Sequence, residues 1–255
     1  MAEHFLSTTN IPLIMSSYQF SPIGYVHSPY KEKFAIPRQP GLVSAAQGTI
    51  ELINDFNQQE LTRGLADFSH IWVLFVFHQT AEQGWKPLIR PPRLGGNKKI
   101  GVLASRSTFR PNPIGMSVLS LDDIRVTNKQ CLLHVSGLDL LEGTPVLDIK
   151  PYVPYSDSVP QANASYATHA PNETISVSIS ESVNEFLLNV NSRYPKLSSL
   201  IIQVLEQDPR PAYKQQQVDD KIYGIRLYEF NIKWRLISAR KIQVFDITYH
   251  DNATR

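Results

Sequence analysis

Ser69-His70-Ile71-Trp72-Val73-Leu74-Phe75-Val76-Phe77-His78-Gln79 decides the fold class. In an extended chain Ile71, Val73, Phe75 and Phe77 share one face, and His70, Trp72, Leu74, Val76 and His78 share the other. Both faces are mostly apolar, so the segment predicts a central strand buried on both sides. Segments on either side read the same way. Residues 22–28 and 47–53 precede it as strands, the latter with Thr49 and Glu51 opposite Ile50 and Leu52. Residues 116–126 and 131–136 follow, joined as a hairpin through Thr127-Asn128-Lys129-Gln130, and residues 146–152 add a further strand. Between them, residues 54–64, with Phe56, Leu61 and a terminal Gly64, read as a short helix. So many strands with little helix predict a mainly β fold, an antiparallel barrel or sandwich.

Beyond Asp157 the texture changes. Residues 158–172 are rich in Ser, Ala, Asn and Pro, and residues 174–180 alternate as a brief strand. Ser182-Val183-Asn184-Glu185 has the pattern of a capping box opening a helix, with Val183, Phe186, Leu187 and Val190 on one face. A second helix carries Leu197, Leu200, Ile201, Val204 and Leu205 and stops at Asp208-Pro209. Two strands, 222–237 and 242–249, close the chain as a hairpin. The expected division is a tail over 1–19, a barrel over 20–158, a linker or arm over 159–179 and a small C-terminal α+β domain over 180–250. Residues 1–14 read as dispensable, since Met15 is itself a candidate translation start.

Composition narrows the class. Among 255 residues, 42% are hydrophobic and 19% charged, the balance of a soluble globular protein. The single cysteine, Cys131, excludes an intramolecular disulfide and a Cys-rich zinc site, and suits a reducing compartment. No apolar run approaches the ~20 residues of a membrane span, and the N-terminus, with Glu3, lacks a secretory signal, so the protein is read as cytoplasmic. Net charge is only +2, but its distribution is uneven. From Gln83 to Leu121 there is no acid, yet Lys86, Arg90, Arg93, Lys98, Lys99, Arg106 and Arg110 all fall there. Such a stretch favours a polyanionic ligand over a solvated loop.

Common enzyme motifs are missing. Gly95-Gly96-Asn97-Lys98-Lys99-Ile100-Gly101 has neither the spacing nor the flanks of a dinucleotide-binding turn. There is no Walker loop and no nucleophile elbow, and the histidines show no metal-ligand spacing. Chemistry rests instead on four polar, Gly- and Pro-punctuated segments. Residues 28–41 interleave basic and aromatic side chains and end at Gln39-Pro40-Gly41, where a glycine lets backbone approach a ligand; alone they also read as a surface loop. His78-Gln79 closes the long strand, at a ligand mouth or as a satisfied rim histidine. Arg106 to Gly115 sets Arg106, Arg110 and Asn112 on a loop fixed by Pro111 and Pro113, donors suited to carboxylate or phosphate. Residues 138–152 place Asp139, Glu142 and Asp148 close together, followed by Lys150, as a ligand-holding set or as structural ion pairs.

Together these segments resemble the TrmO family of bacterial tRNA adenine-N6 methyltransferases, from about Phe20 through Ser158. Asp208-Pro209-Arg210-Pro211-Ala212-Tyr213 and Leu227-Tyr228-Glu229-Phe230-Asn231-Ile232-Lys233-Trp234-Arg235 extend the resemblance to the C-terminal part. It implies a single-sheeted antiparallel β-barrel, usually dimeric, and methyl transfer from S-adenosyl-L-methionine to N6 of threonylcarbamoyl-adenosine next to the anticodon of threonine tRNA. Cofactor positions carry over onto Gln39, Pro40, Gly41, His78, Gln79, Arg106, Leu140, Leu141, Glu142 and Gly143. Asp148, Lys150 and Tyr152 are the candidate catalytic residues. Arg110, Asn112, Asp208, Arg210 and Tyr213 are the candidate substrate-binding residues. No metal is expected. Positioning of an in-line displacement can supply roughly 7–11 kcal/mol of its barrier. The N6 proton needs an acceptor, for which Asp148, Asp139 and His78 remain alternatives, and Arg110, Lys150 and Arg210 compete for the substrate's threonyl carboxylate. A non-catalytic RNA-binding barrel, a barrel binding an anionic small molecule, and a methyltransferase with another RNA acceptor are the competing readings.

Overall fold

The computed structural model describes residues 17–127, 130–169, 175–210 and 218–250. Residues 1–14, Asn128 and Lys129 of the hairpin turn, Thr174 and Tyr213 lie outside the described residues.

Strands β1 (Gly24–His27), β2 (Gln47–Leu52) and β3 (His70–Val76) lead to a single helical turn, α1 (His78–Ala81). A two-stranded arm of β4 (Leu88–Ile89) and β5 (Ile100–Gly101) follows, then β6 (Ile114–Val126), β7 (Cys131–Ser136) and β8 (Pro145–Pro151). The order β1-β2-β7-β6-β3-β8 closes on itself, with every pair antiparallel. The expectation of a mainly β antiparallel barrel is met, and β3 lies between β6 and β8. Only its inward face of Ile71, Val73 and Phe75 is buried, however; Trp72, Leu74 and Val76 are half-buried and His70 is exposed, because a closed barrel turns one face of each strand outward. A barrel of about eight strands is only just wide enough for side chains to fill, and this one is narrower. Val26, Ile50, Ile71, Val73, Leu133, Val135 and Val146 are fully buried and pack its interior. A ligand therefore meets the barrel at its rim.

After α2 (Pro154–Asp157), β9 (Ser176–Ile179) runs parallel to β12 (Lys241–Tyr249), which pairs with β11 (Phe230–Ser238) and that with β10 (Tyr223–Leu227). Helices α3 (Glu181–Val190) and α4 (Leu197–Glu206) contribute Val183, Leu187, Leu200 and Ile201 to the core that holds Phe230, Ile232 and Trp234. This α+β part braces the barrel loop between β1 and β2. Tyr30 bridges to Leu227, the Tyr228 N–H donates to the Pro29 carbonyl at 2.8 Å, and the Gln203 side chain accepts from the Ala45 N–H at 2.9 Å.

Four local expectations are corrected. Residues 54–64 are separate 3₁₀ turns, Asn54–Phe56 and Gln59–Thr62, split by extended Gln58. Phe56 and Leu61 stand five apart, so no helical face holds them. Residues 222–237 are not one strand, because the chain reverses at Tyr228-Glu229 with Tyr228 at φ 51°. Helix α3 is capped by Ser180, whose hydroxyl accepts from the Val183 N–H, two residues before the capping-box serine. The Ser180 N–H still donates to Val244 of β12, so the chain leaves the sheet there and the helix starts at once. His78 and Gln79 are not the end of β3 but the first turn of α1.

Candidate active site

Where β3 and β6 reach the rim, a cavity of about 330 Å³ opens beneath two loops, within the roughly 300–1,000 Å³ of small-molecule sites. Its apolar wall comes from Phe75 and Phe77 of β3 and its exit, from Met116 of β6, and from Leu140 and Leu141. Gln39, Pro40, His78, Gln79 and Arg106 also line it, as do Lys33, Arg38, Ser117 and Asp139. Seven of the ten residues expected at a cofactor thus meet in one place, drawn from four separated stretches of chain. The Arg106 guanidinium donates to the Gln39 side-chain oxygen, which fixes the loop after β5 against the loop after β1. The Lys33 ammonium donates to the Gln79 carbonyl at 3.1 Å and closes the same ring of loops.

The other three expected residues hold this wall from behind. Gly41, at φ 77°, donates its N–H to the Gly137 carbonyl at 2.9 Å, tying the 37–41 loop to the turn that leads into Asp139. Gly143 donates to the Val26 carbonyl. Glu142 faces away from the cavity into a separate surface groove. Its carboxylate accepts from the Ser28 N–H at 2.6 Å and meets Lys31 at 3.0 Å. Burial alone would raise its pKa, but the Ser28 N–H, Lys31 and His27 outweigh that and hold it below the ordinary value. Ser28 also donates its hydroxyl to the Leu140 carbonyl at 2.6 Å, so the residue just after β1 clamps the Leu140-Leu141 floor.

Asp139 is the charged group that sequence reasoning placed only among alternatives. It lies against the cavity with Oδ1 accepting from the Ser117 hydroxyl at 2.7 Å. Desolvation pushes its pKa up to about 6, opposed by the Ser117 hydrogen bond and the Arg106 charge. Burial likewise lowers the pKa of His78. Ser117 itself was missed. Its signal was a hydroxyl on the inward row Gly115, Ser117, Leu119 of a strand whose other inward residues are apolar or glycine. The donor set suits a ligand with a flat apolar ring, a cation and a carboxylate: apolar walls, the Asp139 carboxylate, and the Arg106 guanidinium.

The remaining candidates sit elsewhere. Asp148 and Lys150 pair with each other at 2.8 Å on β8, both substantially exposed, and line no part of the cavity. Tyr152 packs its ring against Trp72 at 5.9 Å. Arg110 turns back on its own loop, donating to the Ser105 carbonyl at 2.7 Å, and Asn112 is exposed. Arg210 is 0% exposed and grips Asp208 through Nε and Nη2 at 2.8 and 2.7 Å. Among the described residues no cluster of metal-ligating side chains forms, and no helix is long and apolar enough to cross a membrane.

Comparison with known proteins follows the same lines. The tRNA-methyltransferase O N-terminal domain matches residues 25–158, and the TrmO C-terminal domain matches residues 172–250. An Escherichia coli protein named tRNA (adenine(37)-N6)-methyltransferase is 53% identical over 225 residues, covering 88% of this chain and 96% of that one. A Pyrococcus abyssi protein, named as a probable S-adenosyl-L-methionine-binding protein, is 40% identical over 138 residues, 54% of this chain and 70% of that one. The crystal structure of TrmO from Pseudomonas aeruginosa superposes with a TM-score of 0.77 at 40% identity, covering 91% of this chain and 99% of that one. The chain belongs to the tRNA-methyltransferase O family.

Proposed function

We propose that the protein methylates N6 of adenosine 37 in tRNA with S-adenosyl-L-methionine as donor, the activity in the name of its Escherichia coli relative. The observation that carries this reading is the rim cavity, which sets Asp139 and Arg106 against the apolar Leu140-Leu141 floor. When bound, S-adenosyl-L-methionine supplies an activated methyl group on a positively charged sulfur. Asp139 offers the cationic donor a counter-charge where little water competes. Arg106, held by Gln39, takes the donor's carboxylate, and Phe75, Phe77 and the leucines exclude water from its ring. The presence of His78 and Asp139 in the cavity lining supports one of them as acceptor of the N6 proton.

The finer reading is that the acceptor is threonylcarbamoyl-adenosine in threonine tRNA, acted on in the cytoplasm by a homodimer. Exposed Ile114, and Met116 in the cavity wall, both on the outward row of β6, support a second copy covering that face. On this reading residues 20–158 are the methyltransferase domain and residues 180–250 an accessory domain. The Asp148, Lys150 and Tyr152 row faces out from β8, so its expected catalytic role requires that a partner subunit or the tRNA bring it to the reacting atoms.

The test is nucleoside analysis of tRNA incubated with the protein and donor labelled in the methyl group. Label in an N6-methylated adenosine supports the proposal. Label confined to another nucleoside, or bound donor with no transfer, overturns it.

A further inference from the structure

Between α1 and β6 the chain leaves the barrel as the β4–β5 arm, which ends at the cavity with Arg106 and Thr108. The arm is built rather than loose. Leu88 pairs with Gly101 and Ile89 with Ile100, and the Val102 N–H donates to the Pro87 carbonyl at 3.0 Å. The Lys86 ammonium stands 4.3 Å over the Phe109 ring, and the Tyr166 hydroxyl donates to the Ala104 carbonyl at 3.2 Å.

Its charges are all of one sign. Lys31, Arg125, Lys150, Arg193, Arg210 and Lys233 each stand within ion-pair distance of a carboxylate. Among the described residues no cation of the arm does so, and the sequence supplies no acid from Gln83 to Leu121. Arg106 and Arg110 are engaged in shaping the cavity and its loop. Arg90, Lys98 and Lys99 are exposed with no carboxylate beside them, and Trp85 leaves 58% of its surface in solvent next to Lys86. Clustered like charges repel, and a polyanion laid across them relieves that repulsion while releasing its counterions. An exposed indole adds a face on which an unpaired base can stack.

We infer that this arm is the RNA-gripping surface beside the cavity, with Arg90, Lys98 and Lys99 on backbone phosphates and Trp85 on an unpaired base. An acidic protein would match the charge but leaves the indole without a stacking partner. The inference rests on the tRNA reading above and names the part of the chain that holds the RNA.

The experiment measures tRNA binding across salt concentrations for the wild type, for Arg90→Ala, Lys98→Ala, Lys99→Ala and their triple combination, for Trp85→Ala, and for Lys196→Ala as an exposed cation remote from the arm. Each arm cation removed should flatten the slope of log affinity against log salt by about 0.7–0.9. The triple variant should bind at least about tenfold more weakly. Trp85→Ala should weaken binding about fivefold or more with the slope unchanged. Affinity for S-adenosyl-L-methionine should stay at the wild-type value throughout, which also shows that the variants fold. A triple variant with wild-type tRNA affinity and slope overturns this inference alone. A wild-type protein that binds no tRNA overturns the parent reading and this inference with it.

Discussion

The Ser117 hydroxyl donates to Oδ1 of Asp139 at 2.7 Å, and through this bond strand β6 holds a carboxylate against the rim cavity. Burial raises that carboxyl to about 6 in the free protein. A carboxyl raised in this way takes up its proton as pH falls through that value and then no longer opposes a cation. Affinity for S-adenosyl-L-methionine should therefore be level above about pH 7 and fall by up to about tenfold per pH unit below 6. Titration calorimetry checks this. Asp139→Asn should bind weakly at every pH with the dependence gone, whereas a variant that keeps the wild-type profile removes Asp139 from the account.

Arg106 reaches the cavity from the arm and is fixed there by Gln39. Hydrogen bonds to charged groups are worth about 1.5–3 kcal/mol. Arg106→Ala should thus weaken donor binding by roughly 10- to 150-fold, and Gln39→Ala by less, since it only orients the guanidinium. Equilibrium binding under one salt condition measures both.

Gly115 pairs with Phe75, and a β-carbon at Gly115 would fall 2.3 Å from the Phe75 ring and 2.8 Å from that of Phe77. These rings meet edge to face at 5.2 Å and form the apolar cavity wall. Gly115→Ala should cost about 1–3 kcal/mol of stability through overpacking and weaken donor binding as well. Thermal unfolding and donor affinity, measured on the same preparation, should both move.

Much of this architecture is legible in the sequence, for identifiable reasons. Strand β3 announces itself as a short run rich in β-branched and aromatic residues, Ile71 to Phe77, bounded by histidines. The hairpin at Thr127 and Gln130 shows because polar turn residues interrupt two such runs, and its ends do meet, with the Thr127 N–H donating to the Gln130 carbonyl at 2.8 Å. The break between β10 and β11 is hidden because Tyr228 takes a left-handed conformation without being glycine or asparagine. Ser180 and Ser182 lie within one turn of each other, and only the end of β9 decides which caps the helix. At the site, resemblance supplies Gln39, Pro40, His78, Gln79, Arg106, Leu140 and Leu141, while Phe75, Met116 and Ser117 belong to it only because the barrel closes. Glu142 reads as a ligand residue from its neighbours, and Ser28 and Lys31, in the segment after β1, draw it to the opposite side.

Arg210 and Asp208 show the same limit. Sequence suggests a guanidinium offered to the substrate, but the structure buries it against Asp208, whose bonds hold its pKa above the ordinary value. Breaking a buried pair on one side costs about 3–5 kcal/mol. Arg210→Ala should lower the melting temperature by roughly 6–20 °C at the ~2–4 °C per kcal/mol typical of this size. Its loss of activity should follow the loss of folded protein, with the preference between modified and unmodified tRNA unchanged. An altered preference at unchanged stability would return Arg210 to the substrate site.

The most direct test mixes the protein with methyl-labelled S-adenosyl-L-methionine and two threonine tRNAs, one bearing threonylcarbamoyl-adenosine and one lacking it. Label is expected in the modified tRNA alone, and is lost on replacing Asp139 by Asn. No label in either RNA, together with no binding of the donor, would contradict the methyltransferase reading and leave an RNA-binding barrel in its place.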